Sequence, residues 1–265
     1  MPRANEEIRD RPFLVMQVLA SESGEIQIYK RRIGDDPSDS ANNESFFLQN
    51  IAPEIAQLLP EHLKNLIRFP NLKGRHIGER SFVEEYFEGR IMGDVHKASN
   101  LFSVDDIHAV ANVIKFIQTY GEKWLGDPNL HFKGHNERKV YEKYKPDLER
   151  REKGLRATLG DRDFEELSLL LEKEKDLLLR EEVFLAAGDI QGSNIIKMKN
   201  GQLGMIDWER VNVTNNPALD YGFMYAVLWN NQELQEEYLR YVFLQNQDRP
   251  NFKDYFRLDF IFNRG

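Results

Sequence analysis

Asp189, Asn194 and Asp207 are the side chains of this sequence whose types and spacing could do chemistry together. An amide oxygen and a carboxylate suit Mg²⁺, which takes few protein ligands and keeps positions for phosphate oxygens and water. A second carboxylate that does not bind the metal could accept a proton from an attacking hydroxyl. Phosphoryl transfer needs such positioning and charge neutralisation. We therefore predict that Asn194 and Asp207 form a metal site and that Asp189 is a nearby base.

A predicted β-hairpin brings two of these residues together. The dipeptide Asn200-Gly201 separates apolar runs at 195–198 and 204–206. Such a pair is a strong signal for a two-residue turn, because both turn positions need positive φ. This turn would set Asn194 opposite Asp207, with Cβ atoms about 4.5–5.5 Å apart. Asp189 would lie on the loop that enters the hairpin.

The part of the chain before residue 90 is predicted to be rich in β-strands. Apolar and alternating patterns indicate strands, and helical spacing of apolar residues indicates a helix inside which Pro53 marks a break or a new start. The predicted elements are strands at 13–20 and 26–33, a loop at 34–43, a helix at 44–56 and a strand at 81–87.

The rest of the chain is predicted to be mainly helical. Apolar residues repeat at helical spacing over 104–120 and 163–180, and the aromatic-rich segment 219–262 is typical of helices. The charge-rich segment 133–155 is interpreted as a solvated helix or arm. His131 and His135 are interpreted as loop residues and not as metal ligands. The fold class is α+β, with a β-rich domain at 1–89 and a helical domain at 90–265.

Composition limits the function. Hydrophobic residues make up 41% and charged residues 30% of 265 residues, which is typical of a globular protein. A net charge of −8 argues against nucleic-acid binding. The chain has no cysteine, no apolar signal core near Met1 and no apolar run of about 18 residues, so we expect a cytoplasmic protein without a membrane span.

Three motifs resemble one family. Residues 188–194 (GDIQGSN) resemble the H-G-D-x-x-x-x-N loop of the aminoglycoside phosphotransferase and choline kinase-like family. Residues 206–209 (IDWE) match its metal-binding strand, and residues 217–220 (PALD) resemble its P-A-x-D segment. The resemblance implies a two-lobed protein-kinase-like fold. It also implies an ATP- and Mg²⁺-dependent transfer of phosphate to a hydroxyl of a small molecule, such as an aminoglycoside, choline or a sugar.

The resemblance further implies roles for single residues. Asp189 would be the catalytic base, Asn194 and Asp207 would hold Mg²⁺, and Asp220 would brace the catalytic loop. The implied nucleotide-binding residues are Lys30 on the phosphates, Glu44 as its partner, and the Glu85 carbonyl and the Phe87 amide on adenine. Glu54, further along the same predicted helix, is the alternative partner of Lys30.

The sequence departs from the family at two places. Ala187 replaces the usual histidine, and no glycine precedes Gly24, so the glycine-rich loop over the phosphates is not visible. Its strand hairpin should precede Phe13, so we expect either a chain that is incomplete at its N-terminus or a reduced nucleotide clamp. These departures leave open a nucleotide-binding pseudokinase that acts through protein contacts. A protein kinase is disfavoured, because residues 206–209 stand where Asp-Phe-Gly would be expected.

Overall fold

The structure is a computed structural model that describes residues 7–11, 14–21, 24–32, 40–76, 81–94, 99–125, 136–137 and 139–264. Its N-terminal part contains a five-stranded antiparallel sheet in the order β1-β2-β3-β6-β5. These strands are β1 Glu7–Arg11, β2 Leu14–Ala20, β3 Ile26–Arg32, β5 Leu72–His76 and β6 Ser81–Glu85. The predicted strands at 13–20, 26–33 and 81–87 are confirmed as β2, β3 and β6, each within a few residues.

A strand also precedes Phe13. The register of β1 on β2 pairs Arg11 with Leu14, so only Pro12 and Phe13 separate the two strands. The hairpin was expected to precede Phe13 as a whole, whereas in the structure it is formed by β1 and by β2, which follows Phe13. The sequence between its strands contains no glycine.

A helical run follows β3. It consists of α1 Ser40–Phe46, a π-helical turn Phe47–Ile51, α2 Ala52–Leu58 and α3 Glu61–Lys64. The loop predicted at 34–43 is wrong from Ser40 onward, because Ser and Asn also occupy helix starts; residues 33–39 lie outside the described part. Pro53 falls in the first turn of α2, where proline is tolerated, so it does not end the helical run.

The C-terminal part is mainly helical, as predicted. Its helices are α4 Val104–Leu125, α5 Val140–Leu159, α6 Asp161–Lys173, α7 Lys175–Leu178, α8 Leu219–Val227, α9 Gln232–Gln245, α10 Phe252–Asp259 and a π-helical end at Phe260–Arg264. The apolar face of α4 packs into the core, where Ile107, Val110 and Ile114 are fully buried. Among the described residues, no helix is long and apolar enough to cross a membrane.

Two helix predictions need correction. The helix predicted over 163–180 is two helices, α6 and α7, separated at Glu174, although no glycine or proline marks the break. The segment predicted as a solvated helix or arm does form a helix, α5, from Val140, but it is not solvated on all sides, because one face of α5 is buried through Tyr144 and Leu148. His131 and His135 lie outside the described residues.

A second sheet joins the two parts. Its order is β4-β13-β12-β7, so strands from before and after α4 share one ladder. Its four strands are β4 Ile67–Arg68, β7 Gly89–Ile91, β12 Ile195–Met198 and β13 Leu203–Met205. Two smaller sheets pair β8 Gly93–Asp94 with β9 Ser99–Asn100, and β14 Asn212–Thr214 with both β10 Asn136–Glu137 and β11 Phe184–Ala186. One continuous hydrophobic core runs beneath both parts.

The predicted hairpin forms, but its register is shifted by one residue. Ile195 pairs with Met205 and Lys197 with Leu203, whereas the two-residue turn would have paired Ile195 with Ile206. The turn has three residues and ends in Gly201 at φ 87, which gives a loop with a left-handed glycine in place of the two-residue Asn-Gly turn. The backbone carbonyl of Asn194 consequently accepts a hydrogen bond from the backbone amide of Ile206. Asp207 lies one residue beyond this pair, so it is not directly opposite Asn194 as predicted.

Candidate active site

Asp220 holds the loop that carries Asp189. Its fully buried carboxylate accepts hydrogen bonds from the backbone amides of Ala187 at 2.9 Å and Gly188 at 2.8 Å. Gly188 has φ 78, and a Cβ there would lie 2.1 Å from the Arg210 carbonyl oxygen. The loop therefore needs both a buried acceptor and a glycine to take this path.

Asp189 lies in a polar and partly buried environment. Its Oδ2 accepts hydrogen bonds from Gln191 Nε2 at 3.2 Å and Asn194 Nδ2 at 3.3 Å, and it lies 3.9 Å from Arg210 Nε. Burial raises the pKa of Asp189 above its ordinary value, the Arg210 guanidinium lowers this pKa, and the negative charge of Asp207 raises it. A carboxylate that is held in place and made more basic by burial can act as a proton acceptor.

Asn194 and Asp207 lie beside Asp189. All three residues line one small cavity. Asn194 Nδ2 donates to the Asp189 backbone oxygen at 3.0 Å, so the amide nitrogen faces the loop. Asp207 adopts a left-handed conformation with φ 64, immediately before the 3₁₀ turn Trp208–Arg210. This uncommon conformation for a residue other than glycine marks a position that its surroundings hold in place.

The donor set of this cavity fits Mg²⁺. It offers the amide oxygen of Asn194 and the carboxylates of Asp189 and Asp207, and Mg²⁺ is usually bound by one or two carboxylates together with phosphate oxygens and water. In the described part of the chain, no group of three or more His, Cys, Asp or Glu residues could hold a metal by itself. A site formed by Asn194 and Asp207 has only two protein ligands, so phosphate oxygens and water would have to complete it.

Lys30 is buried among three carboxylates. Its Nζ lies 2.7 Å from Glu44 Oε1, 2.9 Å from Glu84 Oε1 and 4.0 Å from Asp207 Oδ1. The predicted proximity of Lys30 and Glu44 is therefore observed. Burial lowers the pKa of Lys30 and the carboxylates raise it, with the net result above its ordinary range. Lys30 is thus a charged ammonium at neutral pH.

Sequence reasoning missed Glu84. Lys30 pairs with Phe82 across the strands β3 and β6, and Glu84 is two residues further along β6, on the same face of the sheet. The alternation of side chains along β6 is the sequence signal that could have predicted that Glu84 lies near Lys30. Glu84 is 3% exposed, and burial raises its pKa while Lys30 lowers it, with a raised net value.

Glu44 links the two parts of the site. Its Oε1 accepts hydrogen bonds from Lys30 Nζ and from the backbone amide of Trp208 at 3.0 Å. The Trp208 ring stacks on Phe47 with centroids 4.2 Å apart. These contacts fix α1 against the residue that follows Asp207, which explains how Lys30 and Asp207 approach each other.

The residues predicted to contact adenine connect the first sheet to the hairpin. The Glu85 carboxylate accepts a hydrogen bond from Asn71 Nδ2 at 2.8 Å and pairs with Arg68. Phe87 is buried against Gly204, where a Cβ would lie 2.2 Å from the Phe87 ring. The segment is thereby held in place, and its contact with adenine stays a prediction.

A larger cavity lies elsewhere. It has a volume of about 760 Å³ and lies between α5, α6 and the C-terminal π-helical end. None of the residues predicted for catalysis, metal binding or nucleotide binding lines it. The residues predicted for catalysis and metal binding line the smaller cavity instead.

Solved structures resemble the whole chain. A macrolide 2′-phosphotransferase from Brachybacterium faecium, solved as the apoenzyme, has a TM-score of 0.65 at 15% identity, covering 96% of this chain and 81% of that chain. An APH(2″) phosphotransferase in complex with GDP and kanamycin has a TM-score of 0.58 at 13% identity, covering 95% of this chain and 89% of that chain. A choline kinase from Streptococcus pneumoniae has a TM-score of 0.51 at 14% identity, covering 89% of this chain and 74% of that chain.

The sequence comparisons find no match, although the structural comparison identifies the fold. No protein-family model matches the sequence, and no curated protein matches it. At 13–15% identity, the structural likeness is evidence about the fold. The two-lobed fold class predicted from the sequence is confirmed: this chain has the fold of macrolide and aminoglycoside phosphotransferases and of choline kinase.

Proposed function

We propose that this protein is an ATP-dependent phosphotransferase that phosphorylates a hydroxyl group of a small molecule. One observation carries the proposal. Asp189, Asn194 and Asp207 line one cavity, and the buried ammonium of Lys30 lies 4.0 Å from Asp207. A proton acceptor, metal-type oxygens and a buried cation are the groups that phosphoryl transfer requires in one place.

The contacts support the following catalytic roles. The Asp189 carboxylate would accept the proton of the attacking hydroxyl, since its hydrogen bonds to Gln191 and Asn194 hold it at the cavity. Asp220 would keep this loop in position through the amides of Ala187 and Gly188. Asn194 and Asp207 would hold Mg²⁺, which when bound neutralises and orients the phosphates.

The nucleotide would lie between the two sheets. Lys30 would bind its phosphates with Glu44 as the fixed partner, and the backbone of residues 85 and 87 would bind adenine. Solved structures of the same fold include complexes with ATP and streptomycin and with GDP. For this reason, both ATP and GTP should be tested first as phosphate donors.

The acceptor is proposed only as a class. The proteins that share this fold are named for macrolides, aminoglycosides and choline, which all carry hydroxyl groups. A fold of this kind does not fix the acceptor. The net charge of −8 is compatible with a cationic acceptor.

Turnover on a panel tests the proposal. Release of ADP or GDP is measured with macrolides, aminoglycosides, choline and sugars, using the parent protein, Asp189→Asn and the surface control Asp248→Asn, whose side chain is 72% exposed. Loss of a general base costs about 10²–10⁴-fold in rate. We expect Asp189→Asn to lose activity by this factor and to retain nucleotide binding, whereas equal turnover by parent and Asp189→Asn would exclude Asp189 as the base.

A second candidate function is a nucleotide-binding pseudokinase. The observation that favours it is the connection between β1 and β2, where the sequence has only Pro12 and Phe13 and no glycine to cover phosphates. Ala187 in place of the family's histidine points the same way. Nucleotide binding by calorimetry without turnover of any acceptor on the panel would favour this function.

A further inference from the structure

Lys30 has more carboxylate partners than a phosphate anchor needs. Glu44 lies 2.7 Å from Lys30 Nζ and also accepts a hydrogen bond from the backbone amide of Trp208, so it has a structural role besides its contact with Lys30. Glu84 lies 2.9 Å from the same Nζ. Two acidic side chains are therefore already in contact with one ammonium before any phosphate arrives.

The surroundings of Glu84 make it a poor structural partner. Both Lys30 and Glu84 are almost fully buried, at 1% and 3% exposure. Glu84 Oε2 is also buried and accepts no hydrogen bond from the residues that the structure describes. A buried ion pair adds to stability only when the remaining lone pairs are satisfied. Stabilisation is therefore a weak explanation for this carboxylate.

The position of Glu84 relates it to the nucleotide. It immediately precedes Glu85, whose backbone carbonyl is proposed to contact adenine, and its carboxylate reaches the ammonium proposed to contact the phosphates. Asp207 adds a third negative charge 4.0 Å from that ammonium. A polyphosphate that approaches Lys30 would thus meet an anion already in contact with it, and like charges repel strongly where water is excluded.

We propose that Glu84 is an affinity-determining residue of the nucleotide site, because its carboxylate occupies the Lys30 ammonium and must yield it to the phosphates. The proposal rests on the proposed function, since it requires that Lys30 bind nucleotide phosphates. Glu84 acts here on binding and positioning and does not touch the reacting atoms. The negative charge of Glu84 weakens the affinity for nucleotide, and a neutral residue at the same place would strengthen it.

Calorimetry on two variants and one control tests this role. Glu84→Gln keeps the shape and an acceptor for Lys30 but removes the charge, and Glu84→Met removes both charge and hydrogen bonding. Both keep the Lys30–Glu44 pair. Glu88→Gln is the matched control, because Glu88 is a nearby acidic residue that pairs with Lys199 at the surface with 43% exposure. The probes are Mg-ATP, Mg-ADP and adenosine, each titrated into the folded full-length chain.

The expected result separates charge from shape. Glu84→Gln and Glu84→Met should each tighten Mg-ATP and Mg-ADP by about tenfold or more and leave adenosine unchanged, because only the phosphates meet the removed charge. Glu88→Gln should bind all three probes like the parent.

Three other results would overturn the proposal. Equal tightening of adenosine would mean that Glu84 limits the space for the base. Unchanged Mg-ATP affinity in both variants, with a parent that binds Mg-ATP, would refute the role of Glu84 and leave the proposed function intact. No binding of Mg-ATP or adenosine by the parent or either variant would remove both proposals together.

Discussion

The carboxylate of Glu44 accepts a hydrogen bond from the backbone amide of Trp208 at 3.0 Å, across 164 positions of the chain. The same oxygen pairs with Lys30. One side chain on α1 therefore sets the position of the buried ammonium and of the segment that carries Asp207. A displacement of α1 would move the proposed phosphate anchor and the proposed metal ligand together.

Replacing Lys30 by methionine should destabilise the protein strongly. The change leaves Glu44 and Glu84 buried without their cation, and removing one partner of a buried pair typically costs about 3–5 kcal/mol. Urea unfolding measures the change in free energy. The control Lys199→Met removes a lysine whose side chain is 76% exposed and should stay close to the parent. A loss below about 1 kcal/mol for Lys30→Met would mean that the cluster is not held by its charge.

Asp220→Asn should weaken both stability and catalysis. The carboxylate accepts two backbone amides, and an asparagine would turn an NH₂ group toward one of them. Loss of a hydrogen bond to a buried charged group costs about 1.5–3 kcal/mol. Because Asp189 follows Gly188 directly, the displaced loop should also lower kcat. Thermal unfolding and turnover measured on the same preparation check both effects, and an unchanged kcat would show that the brace does not position Asp189.

Asn194→Ala should raise the Mg²⁺ concentration needed for half-maximal activity by at least about tenfold, since a ligand oxygen is lost from the proposed site. The matched control is Asn200→Ala, which removes an exposed amide from the turn of the same hairpin. A magnesium titration of initial rates compares the three proteins. If both variants need the same Mg²⁺ concentration as the parent, Asn194 is not a ligand.

Arg210→Gln should move the acid limb of the kcat/KM profile to higher pH. Burial raises the pKa of Asp189 and the Arg210 guanidinium, 3.9 Å away, lowers it, so removal of that cation leaves the pKa higher. The base is then protonated, and activity lost, at a higher pH than in the parent. Arg162→Gln, at a side chain that is 88% exposed, is the control. A limb that stays in place or moves to lower pH would contradict this electrostatic role.

Local patterns were sufficient for much of the fold. The apolar spacing of α4 predicted its buried face, because a helix buries every third or fourth residue regardless of its partner. The alternation in β3 placed Lys30 on a strand, and the motif residues Gly188 to Asn194 lie close together along the chain. Such features depend on neighbours within a few residues, so the sequence alone could reveal them.

Other features could not be predicted from the local sequence pattern. The hairpin at Asn200 took a three-residue turn, and the choice of turn shifted every pair of its register by one residue. The start of α1 at Ser40 lies in a segment whose polar composition predicted a loop. The break at Glu174 lies in a segment whose apolar spacing predicted one continuous helix.

By itself, the sequence determined the secondary structure of the main elements and the residue types of the candidate site. The tertiary structure alone decided which charges meet: Glu84 reaches Lys30 because β3 and β6 are neighbours, and Glu44 reaches Trp208 because α1 packs against the turn that follows the hairpin. The physical reason is that periodicity reports the environment of one element, whereas an ion pair or a hydrogen bond requires two elements in contact. Which carboxylates surround a buried ammonium is therefore fixed only when the chain has folded.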